Sequence, residues 1–190
     1  ASPWTPPFWM KDNNLPIRCG KLLPTYDQVW ANYFVKFIKA YEEKGIDIFS
    51  VTVQNEPMAV QRWDSCIYEA NDEARFVKVL GKTFEKHNLK QHIYIWDHNR
   101  DEMFERTKAI LSDKEASKYV YGTAFHWYDS EQFDEVRKTH EAFPNNHLIF
   151  TEGCQENGPH YGEYAVGERY GRNILNDLRN YNEGYIDWNL

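Results

Sequence analysis

Two glutamates, Glu56 and Glu152, stand in matching surroundings. Glu56 closes the run Ile48-Phe49-Ser50-Val51-Thr52-Val53-Gln54-Asn55-Glu56-Pro57, and Glu152 closes His147-Leu148-Ile149-Phe150-Thr151-Glu152-Gly153. Short runs of Val, Ile, Phe and Thr bounded by Pro or Gly read as buried strands. A carboxyl placed where such a strand stops sits at the rim of a sheet, aimed at its mouth. One glutamate in that position is an ordinary loop charge. Two, from different strands, are the equipment for acid–base and nucleophilic work on a glycosidic bond.

The elements that must position them alternate along the chain. A helix is predicted from about Thr25 to Lys44, with Thr25 and Gln28 at capping-box spacing, Trp30, Phe34, Phe37, Ile38 and Tyr41 at helical period, and Gly45 as the stop. The strand ending at Glu56 follows. Asn71 or Asp72 can cap a second helix carrying Phe76, Val77, Leu80 and Phe84 on one face. Further strands are predicted at His92–Asp97, Tyr119–His126 and His147–Glu152, with a last one at Tyr185–Trp188. Helices are predicted between them from about Arg100 to Leu111, Glu131 to Phe143 and Tyr164 to Tyr181.

This alternation argues for a parallel sheet wrapped by helices, either doubly wound or closed into a barrel. A doubly wound sheet gathers its chemistry at one switch point, often beside a Gly-rich phosphate loop, and no GxGxxG or GxxxxGK[ST] occurs here. Instead one strand after another ends in polar or aromatic residues: Asn55-Glu56, Asp97-His98-Asn99, His126-Trp127-Tyr128, Thr151-Glu152, Asp187-Trp188-Asn189. That distribution favours a (β/α)₈ barrel, whose strands deliver functional groups at their C-terminal ends. Five strands are too few to close one, and an open barrel would leave sheet edges unpaired. The expectation is therefore an incomplete barrel, residues 1–190 forming one partial catalytic domain of a longer chain.

Composition bounds the partners. The formal charge of −7, from 22 Lys and Arg against 29 Asp and Glu, argues against a nucleic-acid ligand. No apolar run reaches membrane-spanning length, and Ala1-Ser2-Pro3-Trp4 carries no signal-peptide pattern. Aromatic residues make up 16% of the chain, a surplus that suits a sugar-binding cleft, where ring faces pack on pyranose C–H groups. Cys19, Cys66 and Cys154 form no CxxC and no zinc spacing, and read as free packed thiols. The histidines at 87, 92, 98, 140, 147 and 160 make no HExxH or comparable ligand set, so no metal and no cofactor is expected.

Five motifs occur in order: Ser2-Pro3-Trp4-Thr5-Pro6-Pro7-Phe8-Trp9-Met10-Lys11, Val53-Gln54-Asn55-Glu56-Pro57, Phe125-His126-Trp127-Tyr128, Thr151-Glu152-Gly153-Cys154 and Asp187-Trp188-Asn189-Leu190. Together they resemble glycoside hydrolase family 30, which includes glucosylceramidases and β-1,6-glucanases. The resemblance implies a TIM barrel with an attached β-sandwich, of which this chain would cover the end of strand three through strand eight. It implies Glu56 as general acid/base, Glu152 as nucleophile and Asn55 beside the anomeric centre. It further implies Trp4, Trp127 and Trp188 as aromatic walls, Asp97 on sugar hydroxyls, His126 as a further contact, and Tyr128 donating a hydrogen bond to Glu152. For His126 and Trp127 a structural role is the competing reading. Cys154, Tyr94, Trp96 and Phe125 are left as packing, and Asp47 and the helix-borne glutamates as solvated surface.

The resemblance implies a retaining β-glycosidase whose partner is a carbohydrate, and a secreted or periplasmic setting for the family. The stretches 54–66 and 95–101 are more like those of β-1,6-glucanases. A glucosylceramidase or β-xylosidase activity stays open, as does a non-catalytic carbohydrate-binding fragment.

Overall fold

A computed structural model describes residues 1–158 and 160–188. Four strands, β1 (Ser50–Thr52), β2 (His92–Asn99), β3 (Val120–His126) and β4 (His147–Glu152), form one sheet in chain order, every neighbouring pair parallel. A sheet in which each strand lies beside its successor, with a helix in every crossover, is the wall of a barrel, because a doubly wound sheet would reverse direction. The predicted (β/α)₈ class is thus realised as an open half-barrel.

Both edges are extended by irregular backbone. Ala1 donates to the Ser50 carbonyl, and Thr52 and Asn55 donate to the carbonyls of Ala1 and Pro3 at 2.9 Å each. On the far side Phe150 donates to Gly184 (3.1 Å), Ile186 to Phe150 (2.9 Å) and Trp188 to Gly153 (3.0 Å). The last predicted strand, Tyr185–Trp188, therefore runs parallel to β4 but makes only the single bridge Phe150–Tyr185 and is not a regular strand.

The helices are α1 (Asp27–Glu42), α2 (Ala70–Lys86), α3 (Met103–Leu111), α4 (Phe133–Ala142) and α5 (Tyr164–Arg179). α1 buries Trp30, Ala31, Phe34, Val35 and Ile38, and its end is closed by Gly45 at φ +76°, with Ile46 donating back to Tyr41. Its start differs from the predicted capping box. Pro24–Tyr26 form a 3₁₀ turn, and Gln28 reaches Thr83 on α2 (2.9 Å) instead of turning back to Thr25. α2 is capped by Glu69, with Asp72 as the reciprocal partner, rather than by Asn71 or Asp72 itself. None of the helices among the described residues is long and apolar enough to cross a membrane.

Strand alternation sorts the core. Val51, Val53, Ile93 and Ile95 pack outward against α1 and α2 residues such as Phe34, Ile38, Phe76 and Leu80. Phe125, Trp127, Leu148 and Phe150 pack outward with Met103 and Val136. Ser50, Tyr94, Ile149 and Thr151 face the opposite side, the barrel interior. Gly122 allows close packing there, since a Cβ would fall 2.2 Å from the His147 carbonyl oxygen and 2.5 Å from the Tyr94 ring.

Of three register shifts in the ladders, one falls between Ile93 and Tyr94 and two lie near the site, the first between Trp96 and His98 on β2 and the second at the β3–β4 pairing next to His126. At the first, Trp96 (φ +74°) and Asp97 (φ +55°) are both left-handed, a conformation costly for residues with a Cβ. Strict alternation after Tyr94 would turn Trp96 inward. The bulge sends Trp96 out toward Met103 and brings Asp97 in. The second shift lets consecutive residues Thr151 and Glu152 both reach the interior cavity.

Candidate active site

The bulge on β2 is held from behind. Glu73 of α2, predicted as solvated surface, is fully buried and accepts the Trp96 backbone N–H at 2.7 Å. Its other oxygen pairs with Arg106 of α3 at 3.0 Å, and Arg106 also donates to the Tyr68 carbonyl. The Trp96 indole donates to the Asn99 carbonyl at 2.8 Å. A buried ion pair between two helices thus fixes the backbone that aims Asp97.

Asp97 is expected on sugar hydroxyls. Its carboxylate is instead engaged by the protein, accepting from Ser2, from Thr52 (2.7 Å), from Thr151 (2.6 Å) and from His126 Nε2 (3.1 Å). It is 1% exposed. Burial alone would raise its pKa, but His126, Ser2 and Thr151 outweigh it and hold the carboxyl at about 2. Asp97 is the anion around which four separate segments are tied.

His126, expected as a further substrate contact with a structural role as the competing reading, is completely buried at the end of β3. One nitrogen meets Asp97, and Nδ1 faces Glu56 Oε1 at 3.7 Å, an ion-pair distance too long for a hydrogen bond. In the ladder His126 is the register partner of Glu152. Burial would lower the imidazole, but Asp97 and Glu56 beside it and the charge of Glu152 carry it up to about 9. A cation therefore stands among the two predicted catalytic carboxyls and the Asp97 anchor.

Glu56 follows β1 in a left-handed conformation (φ +47°), although it precedes a proline, a position that favours extended backbone. Its N–H donates to the Asp97 carbonyl at 2.9 Å, and Gln61 donates to its Oε2 at 3.3 Å. Burial is the largest influence on its carboxyl and would raise it, yet His126, His98 and Gln61 together hold it below the ordinary glutamate value. Glu152 goes the other way. Burial raises it, His126 and the Tyr128 hydroxyl oppose this, and the charges of Glu56 and Asp97 add to the rise. The Tyr128 hydroxyl, expected to donate to Glu152, has its geometrically clear acceptor in the Cys154 sulfur at 3.5 Å.

Glu152 lines an interior cavity of about 260 Å³ together with Asp97, Thr151, Trp4 and Trp188. The Trp4 and Trp188 rings stack at 5.2 Å and 29°. Gln54 steadies this wall by donating to the Trp4 carbonyl at 2.7 Å. Asn55 is buried beside Glu56, with its side-chain oxygen unpartnered. Trp127, predicted as a third aromatic wall, is 3% exposed and belongs to the outer core. It lies under the Arg169 guanidinium at 4.3 Å and donates to the Cys154 carbonyl at 3.3 Å. Its neighbour in the interior is His126, because adjacent strand residues face opposite ways. Asn189 lies outside the described residues.

Several residues that shape the site carried no separate signal in the sequence: Gln61, Thr52, Thr151, His98, Glu73 and Arg106. The polar end Asp97-His98-Asn99 marked the neighbourhood, but its partners come from other strands. Local spacing in the sequence pointed to no histidine ligand set. Ligand atoms of Glu56, His98 and His126 lie within 4.8 Å of one another.

Glu56 follows β1 and Glu152 ends β4, so the two carboxyls stand at the C-terminal ends of the first and last strands of one parallel sheet, Glu152 on an aromatic-walled cavity, the side of a barrel where functional groups collect. The family model described as Glycosyl hydrolase family 30 TIM-barrel domain matches residues 1–190, and the chain belongs to that family. The putative glucosylceramidase 4 of Caenorhabditis elegans is 34% identical over 206 residues, covering 100% of this chain and 40% of that protein. Among solved structures, SrfJ from Salmonella typhimurium superposes with a TM-score of 0.95 at 33% identity, covering 100% of this chain and 43% of its own. The endo-β1,6-glucanase BT3312 gives a TM-score of 0.87 at 34% identity, covering 100% of this chain and 45% of that one. The chain thus spans well under half the length of the relatives it matches.

Proposed function

We propose that the protein is a retaining β-glycoside hydrolase acting on β-linked glucose, with Glu152 as nucleophile and Glu56 as acid/base. The observation that supports this reading is the buried His126, whose Nδ1 lies 3.7 Å from Glu56 and whose ladder partner is Glu152, a residue that lines the cavity. Glu152 attacks the anomeric carbon from the cavity wall while Glu56 protonates the departing oxygen. Water then releases the sugar from Glu152, with Glu56 taking its proton. The stacked Trp4 and Trp188 support a pyranose ring, and the free Asn55 oxygen is an acceptor for a hydroxyl beside the reacting carbon.

The acid step needs a proton on Glu56, whose carboxyl is held low. The proton is present in the same cluster, on His126, 3.7 Å from Glu56 Oε1. Groups this close titrate as a unit, so loss of charge at one redistributes protons among the others. A second reading has the two roles exchanged, and the opposite directions of the two glutamates favour it: the higher one, Glu152, would be the acid. A 2-deoxy-2-fluoro-β-glucoside with a dinitrophenol leaving group separates them. Peptide mapping of the full-length enzyme is expected to find the label on Glu152. A label on Glu56 would establish the exchanged roles, and no label on either would leave a carbohydrate-binding protein without this chemistry.

For the linkage we propose a β-1,6-glucan, supported by the likeness of 54–66 and 95–101 to such enzymes. A relative named as a glucosylceramidase is 34% identical over 100% of this chain, and one named as an endo-1,6-β-glucanase is 34% identical over 80% of it, so identity alone does not choose between them. Parallel assays on pustulan, glucosylceramide and an aryl β-xyloside decide the point, and preference for either of the latter two refutes the glucan assignment.

A further inference from the structure

We propose that Glu56, His98 and His126 form a binding site for a zinc-like divalent cation that closes the active site. The three side chains come from three different strand ends, and their ligand atoms lie within 4.8 Å of one another. Nδ1 of His126 is completely buried, has no hydrogen-bond partner, and points at Glu56 Oε1 from 3.7 Å. Nδ1 of His98 is also buried and unpartnered. Gln61 occupies Oε2 of Glu56, which leaves Oε1 for the ion.

A tetrahedral zinc with bonds of about 2.0–2.2 Å needs donors roughly 3.3–3.5 Å apart. The Glu56–His126 pair at 3.7 Å is already near that spacing, and no two of the three ligand atoms are more than 4.8 Å apart. Two imidazoles and a carboxylate suit zinc, copper or nickel rather than magnesium or calcium. The outer shell is in place as well. Asp97 holds Nε2 of His126, the arrangement by which a carboxylate orients a metal-binding histidine and leaves its other nitrogen for the ion. On binding, His126 releases a proton to solvent and Glu56 gives its free oxygen to the metal. Neither proton transfer nor attack by Glu56 is then available, so the cation is an inhibitor. That consequence rests on Glu56 being one of the two working carboxyls.

Zinc itself is colourless, so Co²⁺ serves as the probe. Titration of the full-length enzyme is expected to give the visible bands of low-symmetry cobalt, saturating at one equivalent and displaced by Zn²⁺ but not by Mg²⁺. Hydrolysis of an aryl β-glucoside should fall with the same midpoint and return with EDTA. His98→Gln, with its rate normalised to its own metal-free value, should need at least tenfold more metal for both effects. Glu56→Gln should weaken the cobalt signal to a similar degree, and circular dichroism verifies that both variants fold. Absence of saturable one-equivalent binding, or equal affinity in wild type and both variants, overturns the proposal. Binding at the site with undiminished activity would uphold the metal site and refute the catalytic reading of Glu56.

Discussion

Replacing Glu73 by methionine tests the claim that a buried ion pair in the helix layer aims the active site. The carboxylate is completely buried, lies 3.0 Å from Arg106 and accepts the Trp96 N–H at 2.7 Å. Removing one partner of a buried pair costs about 3–5 kcal/mol, because the other charge is left without compensation. An unpaired buried N–H costs about 1–3 kcal/mol, but the two losses share one carboxylate and do not simply add. The expected destabilisation of Glu73→Met is about 4 kcal/mol, against a total of roughly 5–15 kcal/mol for a domain. Adding Arg106→Met removes the stranded charge, so the double variant should recover most of that loss and remain about 1–2 kcal/mol below wild type, the residue being the Trp96 N–H and the Tyr68 carbonyl. Urea denaturation of the four proteins in the cycle gives these numbers, and kcat on an aryl β-glucoside gives the functional one. Because misplacement by about 1 Å can cost on the order of 100-fold, kcat should fall in both variants even where stability has returned. A single variant less than about 1 kcal/mol below wild type would refute the buried-pair argument. Full activity in the stable double variant would refute the link from this pair to Asp97.

The His126 imidazole, held near 9 against about 6.5 in an unfolded chain, should make stability pH-dependent. A raised pKa contributes stability that is complete below pH 6.5 and lost as pH rises toward 9, a difference of about 3 kcal/mol. Urea midpoints at pH 6 and pH 9 should show this in wild type and not in His126→Gln; equal slopes in the two proteins would argue that the imidazole is neutral. The two tryptophans with opposite exposures should separate in another way. Trp127→Ala should cost about 3–5 kcal/mol as a core truncation, whereas Trp188→Ala should leave stability nearly unchanged and raise KM. A stable Trp127 variant with a raised KM would return Trp127 to the substrate wall.

Much of the site was readable from strand ends. Glu56, Asp97, His126 and Glu152 all close predicted strands, and in the structure Glu56 and Asp97 face the His126 imidazole while Glu152 is its ladder partner. Trp127 was readable too, in principle: it follows His126 and shares the outward face of Phe125, so period-2 alternation alone sends it to the helix layer. Alternation fails at Trp96-Asp97, where a bulge reverses which residue faces in, and no local pattern announces it. Glu73 misled because a glutamate on a helix is ordinarily solvated, and what buries it is an arginine 33 residues away.

The amino-acid sequence by itself determined the alternation of strands and helices, the barrel class, the family and the two glutamates at strand ends. These are properties of short segments: hydrophobic period, turn residues and contiguous motifs. Tertiary structure decided which side chains touch. Asp97 accepts from Ser2, Thr52, Thr151 and His126, His126 comes within ion-pair distance of Asp97 and Glu56, and His98 joins Glu56 and His126 in one cluster. The physical reason is that all three outcomes depend on cross-strand register. A one-residue shift turns a side chain from one face of the sheet to the other, and only the assembled ladder sets that shift.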